Sequence, residues 1–121
     1  MKGSIVLTTI NKPNINIKKL TKLSKKNKFD LIIIGDLKTP NEFKLNHGFY
    51  FDIYKQKKLK FDFAKKCPVN SYARKNIGYL ISFKNGSETI IETDDDNYPK
   101  DNFLKFLKLE HTVYEVKEKS W

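Results

Sequence analysis

Three consecutive carboxylates, Asp94, Asp95 and Asp96, directly follow the β-branched run Thr89-Ile-Ile-Glu-Thr93. Two unit charges about 4 Å apart repel by roughly 4 kcal/mol at an effective dielectric of about 20, so such crowding calls for solvent or a cation. A hard divalent cation relieves it. At the end of an extended strand alternate residues point the same way, which predicts that Asp94 and Asp96 share one side while Asp95 faces away. Two carboxylates completed by waters and substrate phosphates commonly hold Mg²⁺ and, by the same oxygen-ligand chemistry, Mn²⁺. The same residues before Tyr98-Pro99 also suit a plain polar turn and helix cap. A calcium EF-hand is excluded, because the sixth position counted from Asp94 is Pro99, where that loop needs Gly, and the twelfth is Lys105, where it needs Glu.

A second cluster is basic. In Tyr72-Ala-Arg-Lys-Asn-Ile-Gly-Tyr79, Arg74 and Lys75 fall at the start of a helix. The helix dipole favours anions there, so two cations suggest an anionic partner docking at that end, although surface helices also carry Lys and Arg routinely. Neither G-x-G-x-x-G nor G-x-x-x-x-G-K-[ST] occurs, so a bound diphosphate would have to be neutralised by metal and cationic side chains.

The elements that must position these groups read as an α/β alternation. Ser4 to Thr9 is a buried strand closed by Asn11-Lys-Pro13, and Asn14 to Asn27 carries Ile15, Ile17, Leu20 and Leu23 as an amphipathic helix with a lysine-rich outer face. Phe29 to Ile34 is a continuous apolar run, as in central parallel strands, and ends in Gly35-Asp36. Thr39 to Gly48 reads as a loop and Phe49 to Tyr54 as a weak strand, while Lys55 to Lys66 fits strand or helix equally. The clearest helix starts from Asn70 or Ser71 as N-cap, carries Ala73, Ile77, Leu80 and Ile81 on one face, and ends at a left-handed Asn85-Gly86 cap. Thr89 to Thr93 is a strand, and Pro99 starts a last helix through Leu109 with Phe103, Leu104, Phe106 and Leu107 on its apolar side. The acidic triplet thus lies at the carboxyl end of a strand, where open α/β sheets place ligands.

Composition sets outer bounds. The 121 residues make one domain, and 39% hydrophobic residues suffice for a folded core. The formal net charge is +10, with 24 Lys and Arg against 14 Asp and Glu, which favours anionic partners. Arg74 is the single arginine, which argues against base-specific DNA reading. Cys67 is alone, so the fold needs no disulfide, and no run approaches bilayer-spanning length or forms a signal-peptide core; a cytoplasmic location is the expectation. His47 and His111 lack partners at zinc-ligand spacing and read as structural or surface residues. Phe49, Tyr50, Phe51, Tyr54, Phe61 and Phe63 interleave with lysines, a pattern of core plus solvated face that could also stack single-stranded nucleic acid.

Taken together, Ile5-Val-Leu-Thr-Thr-Ile-Asn11, Asn70-Ser-Tyr-Ala-Arg-Lys-Asn-Ile-Gly-Tyr79 and Glu92-Thr-Asp-Asp-Asp-Asn97 resemble glycosyltransferases of the GT-A type. The resemblance is to the STELLO-like glycosyltransferases in particular and, more distantly, to reversibly glycosylated polypeptides. It implies a Rossmann-like sheet that binds a nucleoside-diphosphate sugar, UDP-sugar foremost, with the D-x-D motif holding Mn²⁺ or Mg²⁺ on the diphosphate. Carried over residue by residue, it implies that Thr8, Thr9, Asn11 and Asp36 border the nucleoside and Arg74 contacts the nucleotide. Asp94 would lie near the ribose or donor sugar, Asp96 would ligate the metal with Asp94, and Asp95 is the weaker nucleotide contact. The resemblance runs from Ser4 to about Leu107 and stops where such enzymes continue into an acceptor-binding half, so the expectation for residues 1–121 is a donor half with no matched acceptor-side base. The terminal Trp121 fits that expectation. The alternatives are a small basic nucleic-acid-binding module, against which the acidic triplet weighs, and a non-catalytic remnant of the same fold.

Overall fold

A computed structural model describes residues 2–105. The strand β1 (Gly3–Thr8) is followed by the helix α1 (Ile15–Asn27) and the strand β2 (Asp30–Ile34). Asn14 caps α1, its Oδ1 accepting from Ile17 N at 2.9 Å. Lys28 ends the helix in the left-handed region at φ 59°, and Asp30 enters β2 two residues later. β1 and β2 pair in parallel with Ile5 opposite Leu31, as the apolar run predicts.

The strand β3 (Phe49–Phe51) is shorter than the predicted Phe49 to Tyr54, because Asp52 caps a helix instead of extending it: its Oδ1 accepts from Lys55 N at 2.7 Å. Two five-residue helices follow, α2 (Ile53–Lys57) and α3 (Asp62–Lys66), so the ambiguous stretch is helical. Ser71 caps a 3₁₀ turn (Tyr72–Arg74) that runs into α4 (Lys75–Lys84). At its end Asn85 stays right-handed and Gly86 alone takes φ +82°, while Ser87 N returns to Ser82 O at 3.0 Å.

The strand β4 (Thr89–Glu92) joins β1 on its free side, and all four strands are parallel in the order β3-β2-β1-β4. This α/β arrangement is compatible with a Rossmann-like fold. Pleating sends Ile5, Leu7, Leu31 and Ile33 to one face, against Ile17, Leu20 and Leu23 of α1. Val6, Ile32 and Ile34 go to the other, against Ile77 and Ile81 of α4. Gly78 is what lets α4 approach so closely, since a Cβ there would lie inside contact distance of Val6 Cγ1.

The predicted last helix is not helical over its described part. Residues 101–105 form turns closed by three-residue bonds such as Phe103 N to Lys100 O at 3.0 Å, in keeping with the turn preference of Asp101 and Asn102. Leu104 is nevertheless buried in the α1-side core, with Phe103 packed beside it. Phe106 to Leu109, and His111, lie outside the described residues. No helix among the described residues is long and apolar enough to cross a membrane.

Candidate functional site

The strand order reverses between β1 and β4, and in open parallel sheets the carboxyl ends at such a point leave a crevice. Thr8, Thr9 and Asn11 leave β1 there, and the acidic triplet leaves β4 opposite them. Beyond the last paired residue, Thr93 N still reaches Val6 O at 3.2 Å, which keeps the two strand ends side by side.

Asp95 locks the crevice. Its Oδ2 accepts from Thr9 Oγ1 at 2.6 Å and from Asn11 Nδ2 at 3.0 Å. Its backbone carbonyl accepts from Asn14 Nδ2 at 2.8 Å and from Asn16 Nδ2 at 2.9 Å. The triplet is not extended: a turn begins at Asp95, closed by Asn97 N to Asp94 O at 3.5 Å. Asp95 therefore faces β1 and the start of α1, while Asp94 and Asp96 border a different cavity.

On the other flank, Asp36 follows β2. Its Oδ1 accepts from Leu37 N at 2.7 Å and Asn70 N at 2.8 Å, and its Oδ2 from Ser71 N at 3.1 Å. Asp36 thus ties the end of β2 to the segment entering the 3₁₀ turn. Thr39 closes the same corner, donating through Oγ1 to Thr9 O at 2.7 Å.

Two cavities open along this crevice. The first, of about 360 Å³, is lined by Thr8, Thr9, Asn11, Asp36, Arg74 and Asp95, together with Asn70, Ser71 and Tyr72. The second, of about 440 Å³, is lined by Lys75, Tyr79, Glu92, Asp94 and Asp96 and shares Thr8, Tyr72 and Asp95 with the first. Every residue singled out from sequence as nucleotide- or metal-binding lines one cavity or both. Tyr72 is 86% exposed where the two meet.

Arg74 and Lys75 sit otherwise than as open docking cations. Arg74 is 2% exposed. Its Nε and Nη2 donate to Gln56 Oε1 at 3.0 and 2.6 Å, and Nη1 donates to Cys67 O and Pro68 O at 2.9 and 3.2 Å. All three guanidinium nitrogens are thus engaged within the protein. The anion at the start of α4 is intramolecular: Lys75 Nζ bonds Asp94 Oδ1 at 2.8 Å, Glu92 Oε1 at 3.0 Å and Thr93 O at 3.4 Å. Burial pulls the Lys75 ammonium down, but hydrogen bonds and charge from Asp94 and Glu92 outweigh it, so it titrates above the ordinary lysine value. Burial first, then the hydrogen bond and charge of Glu92, push Tyr79 up to about 12. That Tyr79 bond, followed by Lys75, holds Glu92 below the ordinary carboxylate value.

No group of three or more His, Cys, Asp or Glu side chains converges on one point among the described residues. A Mg²⁺-type site needs fewer protein ligands, one or two carboxylates with waters and phosphate oxygens. Asp94 and Asp96 border the second cavity with that donor chemistry, and Asp96 is exposed with no hydrogen bond within the described residues. His47 and Cys67 have structural surroundings. His47 Nε2 lies 3.1 Å from Phe29 O, and Cys67 is buried, its thiol pushed up by that burial.

Sequence reasoning missed Gln56, Tyr79, Asn14 and Asn16, and read Lys75 as facing an outside anion. The adjacency of Glu92 to the triplet was the available signal for Lys75. Pairing them required knowing that β4 lies beside β1 under the start of α4.

No family model matches the chain. Over 91 residues, 75% of its length, the chain is 26% identical to the probable glycosyltransferase STELLO2 of Arabidopsis thaliana and 26% identical to the probable glycosyltransferase STELLO1 of the same plant. The relationship is to glycosyltransferases, and it is distant. The matched region spans 12% of STELLO2 and 11% of STELLO1, so the likeness concerns a small part of those proteins.

Proposed function

We propose that the chain is the donor-binding part of a glycosyltransferase of the GT-A type and holds a nucleoside-diphosphate sugar, UDP-sugar foremost, in a metal-dependent manner. The observation that carries the reading is the pair of joined cavities at the β1/β4 crevice, with hydroxyl, amide and Asp36 groups in one and Asp94 with Asp96 in the other. The distant likeness to the two probable glycosyltransferases supports it.

In this reading the nucleoside occupies the first cavity. Thr8, Thr9 and Asn11 border it from β1, Asp36 from β2, and Arg74, which lines the same cavity, contacts the nucleotide. Asp95 acts through the wall it forms with Thr9 and Asn11, which fixes the spacing of the two cavities. The diphosphate and sugar lie in the second cavity, with Asp94 beside the sugar. Asp94 and Asp96 would hold Mn²⁺ or Mg²⁺, whose chemistry is to neutralise the charge that develops on the diphosphate as the glycosidic bond to it breaks. Preorganisation by Asp95 and Asp36 means that little reordering is required when the donor binds.

Amide chemical-shift mapping during a UDP titration in Mg²⁺ tests this placement. Shifts should concentrate at Thr8, Thr9, Asn11, Asp36 and Asp94 to Asp96. Shifts concentrated on the lysine-rich surface of α2 and α3 instead would favour a nucleic-acid-type anion surface and overturn the reading.

A further inference from the structure

The inference concerns Lys75 and rests on the donor reading above. An ammonium has three donors, and Lys75 directs all three at consecutive residues: Glu92 Oε1, Thr93 O and Asp94 Oδ1. None is left for a phosphate, so Lys75 is not a donor-binding cation. Its side chain is 9% exposed, whereas those of Glu92 and Asp94 are 60% and 53% exposed. A cation in the first turn of a helix opposes the dipole, and its burial costs solvation, so the position is held against two unfavourable terms by these contacts.

Two roles are physically open to a cation so placed. It could compete with a metal ion for Asp94, or it could orient Asp94 for one. Three observations favour orientation. Only Oδ1 of Asp94 is taken, and Oδ2 accepts nothing among the described residues, while monodentate coordination needs a single oxygen. The second cavity is lined by four carboxylates, Glu92, Asp94, Asp95 and Asp96, against this one ammonium, so an excess of negative charge remains for a divalent cation. Finally, the ammonium is itself held by two further bonds, to Glu92 Oε1 at 3.0 Å and to Thr93 O at 3.4 Å.

We propose that Lys75 is a positioning residue for the metal site: by holding Asp94 Oδ1 it turns Oδ2 into the second cavity and thereby sets the metal-dependent part of donor affinity. Outer partners that orient a ligating carboxylate are commonly worth about 10- to 100-fold in metal affinity.

Calorimetric titration of the wild-type chain, Lys75→Met and Glu92→Gln with UDP alone and with UDP in Mn²⁺ separates the outcomes. The expected result is an unchanged affinity for UDP alone in all three proteins. The gain from Mn²⁺ should fall by about 10- to 100-fold in Lys75→Met and by a smaller factor in Glu92→Gln. A gain from Mn²⁺ that is retained or enlarged in Lys75→Met overturns the proposal, the enlarged case marking a competing cation. Equal losses with and without Mn²⁺ also overturn it, because they mark a purely structural residue. If Lys75→Met does not fold, an unchanged Mn²⁺ gain in Glu92→Gln overturns it. A wild-type chain that gains nothing from Mn²⁺ removes the donor reading and this inference together, whereas wild-type gain with an unaffected variant removes this inference alone.

Discussion

Thr9 Oγ1 donates to Asp95 Oδ2 at 2.6 Å across 86 residues of sequence, and this bond joins the two strand ends between which the crevice opens. Asp95 is the shared wall of both cavities, so its contacts fix their separation. Replacing Asp95 by Ala removes the acceptor of Thr9 and Asn11 but leaves its backbone carbonyl for Asn14 and Asn16. The expected cost is about 1–2 kcal/mol, read as a lowered urea midpoint with unchanged slope. A midpoint equal to that of the wild type would show that the bond does not hold the crevice.

Arg74 should matter more for folding than its place beside a cavity suggests. Truncation to Ala strands Gln56 Oε1 and the carbonyls of Cys67 and Pro68 around a buried void. A loss of about 3 kcal/mol or more in chemical denaturation is expected. Lys in its place should not restore it, because a single ammonium cannot span Gln56 and both carbonyls as the planar fork does. Full stability in Arg74→Lys would contradict this.

Gly78 sets how near α4 comes to β1. Gly78→Ala drives a methyl into Val6 Cγ1 and should destabilise by about 1–3 kcal/mol through overpacking. The double variant Val6→Ala, Gly78→Ala should recover part of that in thermal unfolding, since Val6 supplies the obstructing atom. Additive losses in the pair would place the clash elsewhere.

The Tyr79–Glu92–Lys75 chain gives stability a defined pH window. Glu92 lies below its ordinary value of 4.5, so its contribution is present above that value and is lost as pH falls through the lower folded one. The urea midpoints of wild type and Glu92→Gln should differ at neutral pH and converge in acid. Tyr79 is raised from 10.0 to about 12, so its contribution is present below 10.0 and fades as pH rises toward about 12. The phenolate absorbance of wild type minus Tyr79→Phe should therefore have its midpoint near about 12, and a midpoint near 10.0 would contradict the combined effect of burial and Glu92 on Tyr79.

What the sequence made legible follows from the range of each interaction. Phe29 to Ile34 announced a central parallel strand, and the cap at Ser71 and the turn at Gly86 were local enough to read. The five-residue helices α2 and α3 carry no full period of apolar residues. They are held by tertiary contacts of Ile53, Gln56 and Ala64, so they could not be separated from strand. The residues bordering the crevice could be chosen because they follow strand ends. The roles of Asp95 and Lys75 could not, since both depend on partners brought near by the β1/β4 pairing. Strand alternation placed Asp95 away from the site. The turn that starts there instead makes it the dividing wall.

The most direct test of the donor-binding claim is calorimetric titration of UDP into the wild-type chain and Asp96→Ala, each with and without Mn²⁺. Asp96 is exposed and makes no hydrogen bond within the described residues, so its loss should leave the fold intact. UDP binding strengthened by Mn²⁺ in the wild type, with that gain abolished in Asp96→Ala, is the expected result. Absence of UDP binding, or a gain that survives the substitution, would contradict a metal-dependent nucleotide-sugar site at this crevice.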